Sequence, residues 1–492
     1  MIVHECWLPV RWMVAAGCLA MLAAGCTGAS AGRAGSAGLH APGAPVPGSR
    51  LWASRFAGPG AVDDLAKAVA VSPGGAMVFV TGSTGRNVQV NALADYATIG
   101  YVAATGKQLW ASRYNGPGKA DDFATAIAVT PDGRRVIVTG YSDGTLASPG
   151  NSADYATVAY SATTGKQLWA SRYNGPGNDN DYARSVAVSP DSRTVVVTGS
   201  VSGKTSIRDY ATIAYDAASG RRLWVRSYHG GAGSADDASA VIVSPDGGTV
   251  FVTGSVVSRG SGGIDYGTIA YDARTGARRW ISLYRPTGDN FANAIRVSPD
   301  GRTLFVTGTS HYDFATVAYN AATGAQRWAS RWDDGGNFAD GAHAVAVSPG
   351  GGALFVTGFA ATNALGRRPE VATVAYNAHT GARLWARRYR ADGQCRNEGT
   401  AIAVGPGGRT VLVTGDSNTP NPAGARPCDS GVTTVAYRAM SGRQLWLQRV
   451  RATAAYAGGL AVSRTTDQVF VTGAFFRAPS SGFNYQTVAY RG

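Results

Sequence analysis

Residues 154–173, DYATVAYSATTGKQLWASRY, contain the pattern that decides the fold. Two short runs rich in Val, Tyr, Ala and Trp flank a Thr-Gly turn, which is typical of two β-strands joined by a tight hairpin. The same pattern returns along the chain, and its tryptophan recurs every 48 to 61 residues. A period of about 40 to 60 residues indicates a repeated structural unit. The eight recurring tryptophans are Trp52, Trp110, Trp169, Trp224, Trp280, Trp328, Trp385 and Trp446.

Each repeat also contains two further strand-like segments. One is rich in alanine and ends in Ser-Pro, such as AKAVAVSP at residues 66–73, and the other is VFVTG or a close variant. Four short strands per repeat predict the blade of a β-propeller. Because blades crowd together at the axis, the alanine-rich strand is predicted to be innermost. VFVTG, DYATVAY and the tryptophan strand should follow it in that order toward the rim.

The two ends of the repeat region predict how the ring closes. The chain enters the repeats with LWASRF at residues 51–56, an outer strand without a blade, and ends with YQTVAY at residues 485–490, a third strand without a fourth. Joining them completes a blade and removes an open sheet edge. The predicted fold class is therefore all-β, an eight-bladed β-propeller with four antiparallel strands per blade, the last blade being closed by the N-terminal strand.

The first 47 residues predict an export signal and a flexible tether. Residues 12–25, WMVAAGCLAMLAAG, form an apolar run of 14 residues, shorter than the roughly 20 residues of a membrane-spanning helix. An export signal fits this length, and its end resembles the lipobox of bacterial lipoproteins, in which Cys26 would receive the lipid. We predict a signal at 1–26, a flexible Gly/Ala/Pro tether at 27–47 and a propeller at 48–492. The expected location is the cell envelope, lipid-anchored to the membrane, with plain secretion as the alternative.

The cysteines agree with export. Of five cysteines, Cys6 and Cys18 lie in the predicted signal and Cys26 lies at its end, which leaves Cys395 and Cys428 for the propeller. Two cysteines in an oxidising compartment predict one disulfide. Two free thiols are the alternative.

Composition and charge restrict the partners. Charged residues make up 15% of the chain and glycine contributes 66 residues, which argues against long charged helices. The net charge of +14 includes an arginine three residues after most of the recurring tryptophans. These arginines either discourage strand addition at an exposed edge or attract anionic headgroups and wall polymers. Nucleic acid is not expected as a partner, because the basic residues are spread around a rim. The arginines are Arg55, Arg113, Arg172, Arg331, Arg388 and Arg449.

Acidic residues recur at two positions on the face that carries the long loops. One position precedes the inner strand, at Asp64, Asp122, Asp181, Asp236 and Asp340, with Asn290 and Asn397 in equivalent places. The other opens the third strand, at Asp95, Asp154, Asp209, Asp265 and Asp313. Such a ring of carboxylates is able to hold a hard cation such as calcium, or a polyol. The alternative is that each aspartate accepts backbone N–H bonds and fixes its own loop.

Two segments carry a family resemblance. DARTGARRW at residues 272–280 and NAATGAQRW at residues 320–328 resemble the tryptophan motif of quinoprotein-like (PQQ-like) propellers, while VSPDGRTLFVTG at residues 297–308 resembles the repeats of lactonase-like propellers. The first resemblance implies eight blades. In the quinoprotein enzymes it also implies pyrroloquinoline quinone, a calcium ion and a disulfide of adjacent cysteines. The chain has no Cys-Cys pair, so we expect no such quinone and no other cofactor, with calcium as the one ion that the acidic face would suit.

The expected function is that of a non-catalytic binding or scaffolding propeller at the cell envelope. The sequence contains no GxSxG, HExxH or phosphate-binding loop, and its six histidines show no metal-ligand spacing. The alternative is a lactonase-like or quinoprotein-like enzyme that uses the acidic loop face and a divalent cation. We expect a monomer whose partner is an envelope protein or polymer of unknown identity.

Overall fold

The computed structural model describes residues 46–59, 63–86, 93–144, 153–231, 233–257, 263–333, 335, 339–361, 369–391, 395–420, 428–478 and 482–492. The predicted signal, Cys26 and nearly all of the tether lie outside these ranges. Within them, no helix has the length and apolar content that crossing a bilayer requires. The described residues form 33 β-strands.

The first strand and blades 1 to 4 occupy the first part of the chain. Blade 1 comprises β2–β5, blade 2 β6–β9, blade 3 β10–β13 and blade 4 β14–β17. The strands are β1 (Arg50–Phe56), β2 (Asp63–Val71), β3 (Met77–Arg86), β4 (Asp95–Val102), β5 (Gln108–Tyr114), β6 (Asp122–Val129), β7 (Arg135–Ser142), β8 (Asp154–Ser161), β9 (Gln167–Tyr173), β10 (Tyr182–Val188), β11 (Thr194–Val201), β12 (Asp209–Asp216), β13 (Arg222–Tyr228), β14 (Asp237–Val243), β15 (Thr249–Val257), β16 (Ile264–Asp272) and β17 (Arg278–Tyr284).

Blades 5 to 8 follow in the same order. Blade 7 carries an additional two-residue strand, β28, which pairs with β29. The strands are β18 (Asn290–Val297), β19 (Thr303–Ser310), β20 (Asp313–Asn320), β21 (Gln326–Trp332), β22 (Asp340–Val347), β23 (Ala353–Ala360), β24 (Glu370–Asn377), β25 (Arg383–Tyr389), β26 (Asn397–Val404), β27 (Thr410–Ser417), β28 (Thr419–Pro420), β29 (Cys428–Arg438), β30 (Gln444–Ala452), β31 (Ala455–Val462), β32 (Gln468–Ala478) and β33 (Gly482–Arg491).

The eight sheets confirm the predicted fold class and strand order. In blade 2, for example, the order is β6-β7-β8-β9, so the alanine-rich strand is innermost and the tryptophan strand outermost. Neighbouring inner strands contact one another around the axis, including β31 against β2. Each inner strand approaches the second strand so closely that a Cβ on Gly140 would collide with the carbonyl of Phe123. This approach explains the glycine of the recurring Thr-Gly.

The ring closes as predicted. Strand β1 pairs antiparallel with β33, and the register joins Trp52 to Ala489 and Phe56 to Tyr485. The eighth sheet therefore has the order β1-β33-β32-β31, built from both ends of the repeat region. The third strand of blade 8 therefore has a fourth strand beside it, and no unpaired strand edge is left where the two ends of the repeat region meet, which we call the seam.

The recurring tryptophans join each blade to the next. The Trp110 indole N–H donates to the Ala162 carbonyl of the following blade at 2.9 Å. The ring packs on a turn glycine of that blade, where a Cβ on Gly165 would lie 2.6 Å from Trp110 Cδ2. Equivalent indole bonds join Trp52 to Ala103, Trp169 to Ala217, Trp224 to Ala273, Trp280 to Ala321, Trp328 to Ala378 and Trp385 to Ala439. At the seam, Trp446 packs on Gly48.

Buried hydroxyl pairs run through every blade. Thr139 of the second strand and Thr157 of the third lie 3.0 Å apart, and both side chains are fully buried. Each threonine supplies the partner that the other needs in an apolar interior, where an unpaired hydroxyl would cost about 1–3 kcal/mol. The other pairs are Thr81–Thr98, Thr198–Thr212, Thr253–Thr268, Thr307–Thr316, Thr357–Thr373, Thr414–Thr434 and Thr472–Thr487.

Candidate functional site

The two ends of the propeller differ in their connections. The turns after the inner strands and after the third strands are short, and they use glycines with positive φ, such as Gly133 at 71° and Gly165 at 70°. We call this end the turn face. The opposite end, the loop face, carries the connections between blades and those from second to third strands. Strand β7 ends at Ser142 and β8 begins at Asp154, so more residues separate these two strands than separate the strands joined at the turn face.

The first set of recurrent aspartates binds backbone N–H groups of the loop face. The two Asp236 carboxylate oxygens accept N–H bonds from Gly230 at 2.6 Å and from Val257 at 2.7 Å. Asp181 likewise accepts N–H bonds from Gly175 and from Ser202, the latter at 2.8 Å. Each carboxylate thus ties the loop that enters its blade to the end of the second strand.

The remaining members of that set have the same kind of partner. Asp64 accepts the N–H of Gly58 at 2.8 Å, Asp122 that of Gly116 at 2.7 Å, and Asp340 that of Ala361 at 3.0 Å. At Asn290 and Asn397 the amide nitrogen donates to loop carbonyls instead, at 2.8 Å to Gly288 and at 2.8 Å to Cys395. These bonds favour the loop-fixing interpretation of the aspartates.

Burial changes the acidity of these carboxyls. It raises the pKa of Asp122 and of Asp181 to about 6 in each case, although the accepted hydrogen bonds oppose the rise. It also raises the pKa of Asp64 and of Asp236. Among the described residues, no three or more His, Cys, Asp or Glu side chains gather in a group that could hold a metal ion.

Three of the five aspartates of the second set pair with recurrent arginines, whereas Asp265 pairs with Arg285 and Asp209 accepts a hydrogen bond from Ser206. Arg172 Nη2 lies 2.9 Å from Asp154 Oδ2 of the same blade, and Arg331 Nη2 lies 2.7 Å from Asp313 Oδ2. Arg113 pairs in the same way with Asp95. These three arginines of the outer strands are therefore joined to carboxylates of the adjacent third strands, a link that the separate interpretations of the two sets did not anticipate, while Arg55 contacts Gln486 and Arg449 donates to the carbonyl of Ser417.

The structure joins Cys395 and Cys428 by a disulfide in blade 7. Their Cα atoms lie 6.2 Å apart, and 33 residues separate them in the chain. Cys395 lies just before the inner strand β26, and Cys428 is the first residue of β29. The bond therefore spans two connections of the loop face.

Aromatic residues gather at the inner end of the loop face in blades 2 and 3. The rings of Phe123 and Tyr141, which are paired in register on β6 and β7, have centroids 5.2 Å apart. Tyr141 meets Tyr182 of the next blade edge to face at 5.0 Å. All three side chains remain partly accessible to solvent, so they form a continuous aromatic surface beside the axis.

Two arginines and one aspartate adjoin this aromatic surface. Arg184 Nη2 lies 3.8 Å from one Asp237 oxygen, and Arg208 Nη2 lies 3.5 Å from the other. Burial raises the pKa of Tyr182, and the negative charges of Asp143 and Asp179 add to that rise, while the positive charges of Arg208 and Arg184 act against it. We call this group the mouth cluster, comprising Phe123, Tyr141, Tyr182, Arg184, Arg208 and Asp237. The cluster combines aromatic rings with two guanidinium groups, and carboxylates adjoin both.

Sequence reasoning missed the mouth cluster, although a signal for it exists. A residue that only lined a narrow axis should have a small side chain. At the position after the recurrent Asp or Asn, however, the sequence has Phe123, Tyr182 and Phe291. The seven residues that follow a recurrent Asp or Asn are Leu65, Phe123, Tyr182, Asp237, Phe291, Gly341 and Glu398, and in blade 8 Tyr456 follows Ala455. This position varies more from blade to blade than the preceding one, which is Asp or Asn in seven blades.

The residues present do not fit the quinone site of the resembling enzymes. The chain has no adjacent cysteines, and the disulfide described in blade 7 joins residues of two different connections. The recurrent carboxylates that would ligate a calcium ion hold backbone N–H groups instead, as Asp236 does. We therefore derive no chemistry through a quinone.

Eight four-stranded blades, joined by indole-to-carbonyl bonds and by tryptophan packing on turn glycines, define a tryptophan-docked β-propeller. A family model agrees with this class. The PQQ_2 family, described as outer membrane protein assembly factor BamB, matches residues 44–263, 95–310 and 265–466, and the chain belongs to this family. A comparison of the sequence with curated proteins found no match.

Solved structures share the architecture at low sequence identity. The Dos1 propeller is 10% identical, with a TM-score of 0.56 over 91% of this chain and 95% of that one. Chaetomium thermophilum Sqt1, bound to the N-terminus of ribosomal protein L10, is 13% identical, with a TM-score of 0.55 over 89% and 98%. Quinohemoprotein alcohol dehydrogenase from Comamonas testosteroni is 13% identical, with a TM-score of 0.56 over 90% and 76%. A protein bound to a ribosomal-protein segment and an alcohol dehydrogenase thus share this fold, which does not by itself distinguish their functions.

Proposed function

We propose that the protein is an exported binding or scaffolding propeller of the cell envelope, anchored by a lipid on Cys26, and that it acts without catalysing a reaction. The mouth cluster is the observation that carries this proposal. It places three partly accessible aromatic rings next to two arginines at the axial end of the loop face. Aromatic and arginine side chains are enriched where proteins bind one another. The description of the family as an outer membrane assembly factor supports a scaffolding role.

The mouth cluster favours a partner that offers both flat and negatively charged groups. Its rings can stack against side chains or sugar rings, and its guanidinium groups can donate paired hydrogen bonds to carboxylates. An envelope protein with acidic side chains or an acidic wall polymer meets both requirements. The net charge of +14 of the chain would draw such a partner toward the surface.

The alternative function is a lactonase-like or quinoprotein-like enzyme that uses a divalent cation on the acidic face. It requires carboxylates that are available as ligands, whereas those of Asp181 and Asp236 accept backbone N–H bonds through both oxygens. Thermal unfolding with and without a chelator separates the two functions. A calcium-dependent midpoint that Asp181→Asn abolishes would support the enzyme, and an unchanged midpoint is expected here.

Photo-crosslinking in intact cells tests the proposed binding surface. A photoreactive phenylalanine analogue in place of Tyr182 should give covalent adducts with an envelope protein or polymer. The matched control carries the analogue in place of Leu168, which is 46% exposed on the outer strand β9. Adducts from position 182 alone are expected. Equal adducts from both positions, or none from position 182, would contradict the assignment of the mouth cluster.

Fractionation tests the lipid anchor separately. Cys26→Ala should move the protein from the membrane fraction to the soluble envelope fraction, because a lipid chain on Cys26 would supply the membrane affinity. A Cys6→Ala variant is the control, since that residue lies in the predicted signal. Unchanged membrane association of the Cys26→Ala protein would contradict the lipid anchor and indicate another mode of attachment, whereas an unaltered protein that is already soluble would indicate plain secretion.

A further inference from the structure

The inner strand of each blade pairs with the second strand in an equivalent register. We compare one position of this register, the residue two before the Ser-Pro turn or its equivalent, in all eight blades. Six blades carry alanine there and blade 4 carries Ile242, but blade 5 carries Arg296, opposite Phe305. This makes Arg296 the charged member of a set that otherwise consists of small or aliphatic side chains. The six alanines are Ala70, Ala128, Ala187, Ala346, Ala403 and Ala461.

Strand β18 is the innermost strand of blade 5, so Arg296 lies next to the axis of the ring, one residue before the end of the strand at the turn face. One edge of β18 is hydrogen-bonded to β19, and its flanks contact the inner strands β14 and β22 of the neighbouring blades. Arg296 is nevertheless exposed to solvent, although the surrounding protein lowers its pKa by desolvation. Because the neighbouring blades cover both flanks of β18, Arg296 reaches water along the axis, the space that we call the axial channel, where the alanines at this register in five other blades are also partly accessible.

Arg296 lacks a counter-ion among the described residues. Its Nη1 donates to the backbone carbonyl of Ile295 at 2.8 Å, and no carboxylate contributes to its electrostatic environment there. The other N–H donors of the guanidinium are therefore left for water or a ligand. The alanines of six other blades show that the fold does not require a cation at this position.

We propose that the axial channel binds an oxyanion, the phosphate or carboxylate group of a ligand, at Arg296. The planar guanidinium matches the paired oxygens of these groups, and its positive charge persists at neutral pH. A bound oxyanion would supply the counter-charge that blade 5 lacks. This site lies near the turn-face end of an inner strand, so it is separate from the mouth cluster and does not depend on it.

Calorimetric titration of the full chain with inorganic phosphate and with citrate, at constant ionic strength, tests the proposal. Arg296→Ala should fold, because it installs the residue that six blades already have, and it should weaken binding of both anions at least about tenfold. Arg296→Lys should retain part of the affinity. The matched control is Arg302→Ala, which removes the same charge from an exposed turn of the same blade and should bind both anions like the unaltered protein.

A second arm identifies the source of the anion. If the unaltered protein sediments with phosphatidylglycerol vesicles and the Arg296→Ala protein does not, the oxyanion is assigned to a lipid headgroup. Phosphate or citrate binding without vesicle binding would assign it to a soluble anion, and either result supports the site. Equal anion affinities of the Arg296→Ala and unaltered proteins, or no anion binding by the unaltered protein, would overturn it.

Discussion

Arg172 of the outer strand and Asp154 of the third strand form an ion pair of 2.9 Å within blade 2. The arginine also donates to the hydroxyl and the carbonyl of Ser142, at 3.0 Å and 2.9 Å. One side chain therefore ties together the second, third and outer strands at the loop face. The side chains of Arg172 and Asp154 are 20% and 17% exposed, so solvent screens the pair less than it would a pair on an open surface.

A double-mutant cycle should detect this pair. Arg172→Ala and Asp154→Asn should each lower the free energy of unfolding, and the double variant should lose less than the sum, with a coupling of about 0.5–1 kcal/mol. Urea denaturation of the four proteins measures it. Arg274→Ala, in an exposed turn, is the control and should leave the midpoint unchanged. Strictly additive losses would show that the contact contributes nothing.

Tryptophan docking makes a strong prediction for the turn glycines. Gly165→Ala places a Cβ 2.6 Å from Trp110 Cδ2 and demands a φ of 70° from alanine. Both effects are costly, so we expect a loss of about 2 kcal/mol or more. Gly74→Ala is the matched control, since nothing lies within 4 Å of its added Cβ. Chemical denaturation midpoints compare them, and equal midpoints would refute the proposed importance of the docking contact.

Buried carboxyls predict how stability depends on pH. Burial raises the pKa of Asp416 to about 6, above its ordinary value of 3.8, and Glu398, its partner in register, adds to the rise. The folded state therefore binds more protons than the unfolded state between these values. The contribution of Asp416 is fully present below about pH 3.8 and is lost as the pH rises through about 6.

Asp416→Asn should flatten the decline in unfolding midpoint between pH 4 and pH 7, since an asparagine oxygen can still accept the N–H of Ala457. Asp272→Asn is the control of opposite sign, because Arg279 holds the pKa of Asp272 below its usual range. That variant should lose stability at pH 7 and leave the slope between pH 4 and pH 7 in place. An unchanged slope in Asp416→Asn would contradict the proton linkage.

Residue size and repetition were sufficient to predict the architecture. Alanine-rich strands such as residues 66–71 fit only near a crowded axis, and the unmatched segments at residues 51–56 and 485–490 could pair only with each other. The Arg172–Asp154 pair was also present in the sequence, as a spacing of 18 residues that Arg113–Asp95 and Arg331–Asp313 repeat. The pair was not predicted because the aspartate position and the arginine position were interpreted separately.

The sequence could indicate single residues of the mouth cluster but not the contacts between them, for a physical reason. Tyr141 and Tyr182 belong to different blades, and their contact depends on how neighbouring sheets pack around the axis. Arg208 reaches Asp237 across a blade boundary as well. No periodicity within one repeat encodes such contacts, because each is made once in the ring and not in every blade.

Closure of the ring is the central claim, and a crosslink tests it most directly. Arg55 on β1 and Gln486 on β33 are partners in register, with Nε and Oε1 3.4 Å apart. Oxidation of the Arg55→Cys, Gln486→Cys protein should join these positions by a disulfide, detected by peptide mass mapping of the folded chain. The pair Arg55→Cys, Arg274→Cys is the control and should stay reduced. Free thiols at both 55 and 486 in a folded protein would contradict closure of the eighth blade by the N-terminal strand.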